Sequence, residues 1–317
     1  MKMISDPLHF AFCVNDAYAR YISVTIKSII ENHHSCVIHI HILTDYISNS
    51  NRRKLHDVVR DLCAVSLHIY ELDATELQGL KTRHWTIYTW YRILIPNILP
   101  NLIKKVIYLD ADTLVVSDLS NVFSIDMDGK SIAAVEDIYS NNKEIYNRLG
   151  YDSSKRYICA GVMLMNLDYW RKNNITEKII DEAHIHCEKI IFPDQDSINS
   201  ICHDTKIILP LRFGILGAFF EIKNFYQQYN SQLRDCLLSP GIIHYANRPP
   251  WIKERATHPM QSEWEKYNKM LRHPVQQFYE SKGILKLKMF FWDLLHPDGR
   301  LPITMEEIKK RLDIYDS

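Results

Sequence analysis

The stretch VIYLDADTLV, residues 106–115, decides how the chain reads. Its first half is apolar and breaks on two carboxylates, Asp110 and Asp112, with Ala111 between them. The lead-in KVIYL, residues 105–109, is the clearest strand signal in the chain. Residues i and i+2 of an extended chain point the same way, so the two carboxylates converge. Converging carboxylates repel unless something positive sits between them. A hard divalent cation with oxygen ligands resolves that repulsion. Ligands of open α/β sheets also gather beyond the carboxyl ends of strands, which is where this pair stands.

Two other readings compete. Over so short a pattern, two solvated aspartates in a strand-ending turn look the same. Phosphatases of the haloacid dehalogenase type also carry two aspartates at a strand end. Their pattern wants a small residue and then Thr or Val after the second Asp. Here Thr113 and Leu114 are out of step by one, and the pair lies a third of the way into the chain.

Outward from this stretch, strand and helix signals alternate. Strands are expected at 8–14, 37–43, 65–70, 131–135 and 161–166, with late short ones at 206–209 and 242–245. Helices are expected at 18–32, 49–62, 175–189, just after Pro193, and at 86–95, where Pro96 should stop the last. Such alternation argues for an α/β fold with a parallel sheet and helices on its faces. From about residue 260 the character changes. The segment LKLKMFFWDLL at 285–295 and the helical MEEIKKRLDIY at 305–315 suggest a mostly helical appendage. The expected division is therefore 1–258 for the catalytic domain and 259–317 for the extension.

Bulk composition narrows the function. The 317 residues carry 38 basic and 38 acidic side chains, so nothing favours nucleic acid as a partner. Seven cysteines at 13, 36, 63, 159, 187, 202 and 236 form no CxxC pair, which fits reduced thiols and a cytoplasmic setting. Asp6 and Pro7 interrupt the N-terminus before an apolar run develops, so no signal peptide is read there. Lys286 and Lys288 beside Phe290, Phe291 and Trp292 suit either peripheral contact with the inner face of a membrane or a packed helix with its lysines outward.

Three further features bear on chemistry. In FPDQDSIN, residues 192–199, Asp194 or Asp196 can cap the helix that follows, or Asp194 and Gln195 can face a sugar. In IIHYANRPPW, residues 242–251, His244 is either structural or a third metal ligand. Two carboxylates plus an imidazole suit Mn2+ somewhat better than Mg2+, which prefers oxygen alone. Arg92 is a surface arginine or a fork for phosphate. His39 and His41 share one side of a strand and are read as facing a polar layer, not as ligands.

These strings together resemble the family 8 retaining glycosyltransferases, the bacterial lipopolysaccharide galactosyl- and glucosyltransferases with glycogenin as a relative. The resemblance spans roughly residues 9–255 and runs in order through FCVNDAYARY, HILTDYIS, YLDADTLV, CAGVMLMNLDYWR, PDQDSIN and HYANRPPW. It implies a GT-A fold, with a Rossmann-like mixed sheet flanked by helices. It also implies a UDP-hexose donor, Mn2+ (or Mg2+) as cofactor, and a glycan or lipid-linked glycan acceptor. By the same resemblance Asp110, Asp112 and His244 hold the metal. Val14, Asn15, Tyr18, Arg92, Ala111, Asp137, Cys159, Asn247 and Arg248 line the donor site. Asp194 contacts sugar hydroxyls, and Gln195 lies beside the anomeric carbon. The chain keeps its own residues at the nucleoside end. Asn15 stands for the usual Asp, Ala17 and Cys159 each for an Asn, Asn247 for a Gly and Pro249 for a Lys, whose phosphate contact falls to Arg248 or Lys253. The acceptor is expected near Asp137, the loops at 139–157 and the aromatic tail.

Overall fold

The strand nearest the N-terminus, β1 (Leu8–Cys13), is apolar apart from His9 and becomes an interior strand of a sheet. Four strands lie parallel in the order β3 (Val65–Glu71), β2 (Ile38–Thr44), β1 and β4 (Lys105–Leu109). The sheet then continues through β7 (Ile158–Asn166), β6 (Ile132–Glu136) and β8 (Lys206–Leu209). The computed structural model describes residues 6–281, 283 and 304–314.

The sheet is mixed, as the resemblance implies and not all-parallel as the alternation alone suggests, because β7 runs antiparallel to both β4 and β6. The physical reason is the connection. Residues 137–157 leave the end of β6 and return from that same end, so β7 must run back. The strand also starts three residues earlier than its apolar run suggests, at Ile158. Pro96 does not stop a helix. It sits in the first turn of Ile95–Ile98, where its missing N–H leaves no bond unmade. The helices expected to reach residues 62 and 189 end at Val59 and Ile185.

Side-chain alternation splits the core into two layers. Phe10, Phe12, Ile40 and Ile42 face the helix Asp16–Asn32, whose Ile22, Ile26 and Ile29 are wholly buried. Ala11, Val106, Tyr108 and Met163 face Trp90, Ile93, Trp170 and Ile198. Each such buried side chain contributes roughly 1.5–3 kcal/mol of burial free energy. Trp264 and Tyr267 of the helix Gln261–Lys269 join the first layer, as do Ile308 and Leu312. Residues 285–295, with the lysines and aromatics expected at a membrane, lie outside the described residues. Among the described residues no helix is long and apolar enough to cross a membrane.

A second, three-stranded sheet does the positioning. It runs β5 (Thr113–Val115), β10 (Ile242–His244) and β9 (Ile215–Leu216). β10 is antiparallel to β5 with His244 directly opposite Thr113, and Tyr245 N–H donates to the Asp112 carbonyl at 2.8 Å. That pairing carries a histidine from late in the chain onto the aspartate turn.

Candidate active site

Asp110 follows the last residue of β4, and its N–H donates to the Gly161 carbonyl of β7 at 2.8 Å. The carboxylates of Asp110 and Asp112 and the ring of His244 converge, with ligand atoms all within 4.8 Å of one another. His244 Nε2 lies 3.4 Å from Asp112 and 3.8 Å from Asp110. This is the cluster of three ligating groups that the sequence anticipates, and two carboxylates with an imidazole fit a divalent cation such as Mn2+. Burial disfavours a charged His244, yet Asp112 and then Cys159 hold its pKa well above the usual imidazole value. A proton and a cation therefore compete for this ring.

Gly161 forms the floor. A Cβ there would lie 2.2 Å from His244 Cε1 and 2.7 Å from an Asp110 oxygen. The cradle admits no side chain, which is the close approach that a glycine inside a strand marks. Sequence reasoning quoted this glycine without assigning it a role, although that signal was available.

Arg92 is buried, not a surface residue. Its Nη2 lies 2.9 Å from Asp110 and its Nε 3.0 Å from Asp194, while Nη1 donates to the Ala160 carbonyl at 2.7 Å. Burial works against the guanidinium, but the two carboxylates raise its pKa above the ordinary arginine value. The guanidinium is thus engaged by the protein on all sides, and Arg92 joins Asp110 to Asp194. Tyr108 OH adds a 2.5 Å bond to Asp110 beneath it.

Around the sugar end, burial pushes the Asp194 carboxyl up against the pull of Arg92, and Thr89 donates to it. Asp137 is likewise raised by burial, opposed by hydrogen bonds from Tyr139 N–H, Gln195 and Cys159. Gln195 Oε1 accepts from Ala160 N–H at 3.0 Å, and its Nε2 reaches Tyr157 OH at 3.1 Å and Asp137 at 3.4 Å. Cys159 Sγ stands 3.7 Å from His244 Nδ1, so the thiol orients the ring that turns Nε2 to the carboxylates. Asp196 is fully buried and accepts from the N–H groups of Ile191 and Phe192 at 2.7 and 2.9 Å, just ahead of the helix Pro193–Cys202, whose N-cap Phe192 has no side-chain cap bond.

The nucleoside end is looser. Asn15 caps the helix Asp16–Asn32, accepting from Tyr18 N–H at 3.0 Å, so Asn does the capping work an Asp would do. Tyr18 is 44% exposed, and burial followed by the Asp112 charge raises its hydroxyl pKa. Val14 is buried with its N–H on the Leu43 carbonyl, and Ala111 is half-buried between the aspartates. Asn247 adopts a left-handed backbone, φ 62°, which Asn tolerates better than most residues. Arg248 is paired with Glu221 through both nitrogens of its fork.

The model of glycosyl transferase family 8 matches residues 9–254. The chain belongs to that family. It is 27% identical over 280 residues to general stress protein A of Bacillus subtilis, covering 82% of this chain and 92% of that one. It is 26% identical over 255 residues to a lipopolysaccharide 1,2-glucosyltransferase of Escherichia coli, covering 78% and 74%. Among solved structures, a galactosyltransferase LgtC in complex with donor and acceptor sugar analogs superposes with a TM-score of 0.74. It has 22% identity and covers 84% of this chain and 97% of that one. The fold of this family 8 chain is thus the GT-A-like mixed α/β fold, and its class of activity is glycosyl transfer.

Proposed function

We propose that the chain is a retaining hexosyltransferase that moves galactose or glucose from a UDP-sugar to a glycan acceptor. The acceptor would belong to lipopolysaccharide or another surface polysaccharide, as the E. coli lipopolysaccharide 1,2-glucosyltransferase relative suggests. One observation carries the reading: Asp110, Asp112 and His244 converge over a glycine floor that has no room for a side chain. Residues 1–258 would hold this machinery and 259–317 the extension, with the enzyme in the cytoplasm at the inner face of the membrane. A cation held there, Mn2+ for preference and Mg2+ as the alternative, supplies Lewis-acid stabilisation of the departing diphosphate.

The chain's own residues do the rest. Asp194 and Asp137, both buried carboxyls fixed by neighbours, accept from sugar hydroxyls and fix the ring. Asn15, Tyr18 and the backbone of Val14 and Ala111 line the nucleoside side. The geometry also supports front-face attack. Asp196 is fully buried and already accepts four groups, Asp194 is clamped by Arg92 and Thr89, and the Gln195 oxygen is taken by Ala160. None of these three side chains is therefore free to act as a nucleophile. The acceptor oxygen bonds to the anomeric carbon as the carbon–phosphate oxygen bond breaks, and the departing phosphate oxygen takes the acceptor proton. Tyr139, stacked 5.3 Å from Phe192, and the half-exposed Trp85 offer ring faces for the acceptor beside Asp137 and Asp194.

A second reading, donor binding without transfer, is favoured by Arg248, whose charge at the rewritten phosphate end is neutralised by Glu221. A panel of UDP-hexoses with Mn2+ separates them. Release of UDP from one hexose donor, abolished by EDTA, is the expected result. UDP binding without turnover would select the second reading, and no UDP binding at all would defeat both.

A further inference from the structure

Tyr157 and Asp196 lie behind the sugar pocket and were given no role by the sequence beyond a cap. We propose that they are positioning residues that lock the Gln195 carboxamide in one orientation, its N–H turned toward Asp137 and its oxygen turned away. The proposal rests on the transferase reading above and deepens it.

The orientation follows from counting donors. Ala160 N–H, buried inside β7, can only donate, so the Gln195 atom facing it at 3.0 Å must be oxygen. Tyr157 OH has a single proton, and it goes to Asp196 Oδ1 at 2.7 Å. The hydroxyl oxygen is then an acceptor toward Gln195 Nε2 at 3.1 Å. Asp137 faces the same Nε2 with a carboxylate oxygen at 3.4 Å. Flipping the amide would set donor against donor at Ala160 and oxygen against oxygen at Tyr157 and Asp137.

The direction of the Tyr157 proton is set in turn by Asp196. That carboxylate receives Arg148 Nη1 at 2.6 Å and Nη2 at 3.2 Å, together with Ile191 N–H and Phe192 N–H. Every group around it donates, which fixes it as an acceptor toward Tyr157. Arg148 comes from the helix Lys143–Leu149 and also donates to the Lys189 carbonyl. The relay thus runs from the segment beside the pocket, through Asp196 and Tyr157, to the amide and to Asp137. Burial and the Asp196 charge keep the Tyr157 hydroxyl protonated far above neutral pH, consistent with its donor role.

The experiment compares Tyr157→Phe, Asp196→Asn and the double variant in the full chain. In Asp196→Asn, the two backbone donors claim the amide oxygen and turn its NH2 to Tyr157. The Tyr157 proton then points at Gln195, and the Gln195 amide is driven to flip. Each single variant should lower kcat on the order of ten- to a hundredfold. KM for the donor should change by less than about threefold, and UDP affinity in Mn2+ should stay as in the wild type. Because the residues act in series, the double variant should lose no more than Tyr157→Phe alone. Additive losses, or kcat within about twofold of wild type in Tyr157→Phe, would overturn the relay while leaving the transferase reading intact. A readout without turnover covers the case in which no donor is transferred. With 15N-glutamine labelling, the Gln195 side-chain protons should exchange slowly with solvent in wild type and measurably faster in Tyr157→Phe, which has lost one of their acceptors. Exchange in the wild type as fast as in a free glutamine would sink the proposal whatever the enzyme's activity.

Discussion

The sheet carries two clusters of titratable side chains, and His244 in one shifts opposite to His9, His39 and His41 in the other. Beyond the carboxyl ends of β4 and β10, unlike groups meet: Asp110, Asp112, His244, Arg92 and Asp194. There His244 is raised well above its usual value, because Asp112 outweighs burial. Toward the opposite ends of β1, β2 and β3, like groups meet: His9, His39, His41 and His68 stack as a layer with ring centres 4.9–5.4 Å apart. There burial first and neighbouring histidines second pull His9 down to about 4 and His41 to about 3. The contrast separates function from tolerance. A cluster that mixes signs is prepared to hold a cation and an anionic leaving group. A cluster of one kind bonds within its own layer, at 3.0 Å from His9 to His41 and 3.2 Å from His39 to His68, with Tyr70 OH 3.1 Å from His41 at its margin.

The largest test of the contrast removes a sign from the first cluster. Asp112→Ala should lower transfer by a thousandfold or more, on the order of 4 kcal/mol of transition-state stabilisation. The fold should survive, because the Asp112 bond to Tyr245 comes from its backbone carbonyl. Near-normal initial rates and cation affinity in this variant would remove the foundation of the site. The next test fills the floor and leaves every ligand in place. Gly161→Ala should weaken Mn2+ binding about a hundredfold, since the new methyl group must displace the His244 ring. Calorimetric titration with Mn2+ decides it, and unchanged affinity would mean the three ligands are not held over Gly161.

How much of this could be read in the sequence depends on distance along the chain. Asp110 and Asp112 were legible because their convergence needs only a strand period of two. His39 and His41 were legible as one polar face for the same reason, and the structure adds His9, His68 and Tyr70 to that face. The antiparallel run of β7 was not legible, since it depends on which end of the sheet a loop of some twenty residues returns from. The burial of Arg92 was not legible, because its partners Asp110 and Asp194 arrive from elsewhere in the chain and no local pattern says whether an arginine is buried or exposed. Tyr157 was missed outright. It sits in a loop, and its role appears only when Asp196 and Gln195 fold against it.

The smallest test addresses the second cluster through pH. His41 has an unfolded value near 6.5 and a folded value of about 3. Between those limits the unfolded chain binds the proton and the native ring does not, so stability falls as pH falls. The contribution is intact above about pH 6.5, and each unit below it costs about 1.4 kcal/mol for one such ring until the folded value is reached. From pH 6.5 to 5 the loss from His41 is therefore about 2 kcal/mol. His41→Gln keeps hydrogen-bonding capacity toward His9 and Tyr70 but removes the titration. Urea unfolding of both proteins at the two pH values should show the wild type losing about 2 kcal/mol more than the variant. Equal losses would mean that His41 titrates normally in the native state. The histidine layer would then be open to protons, and the opposition between the two clusters would rest on His244 alone.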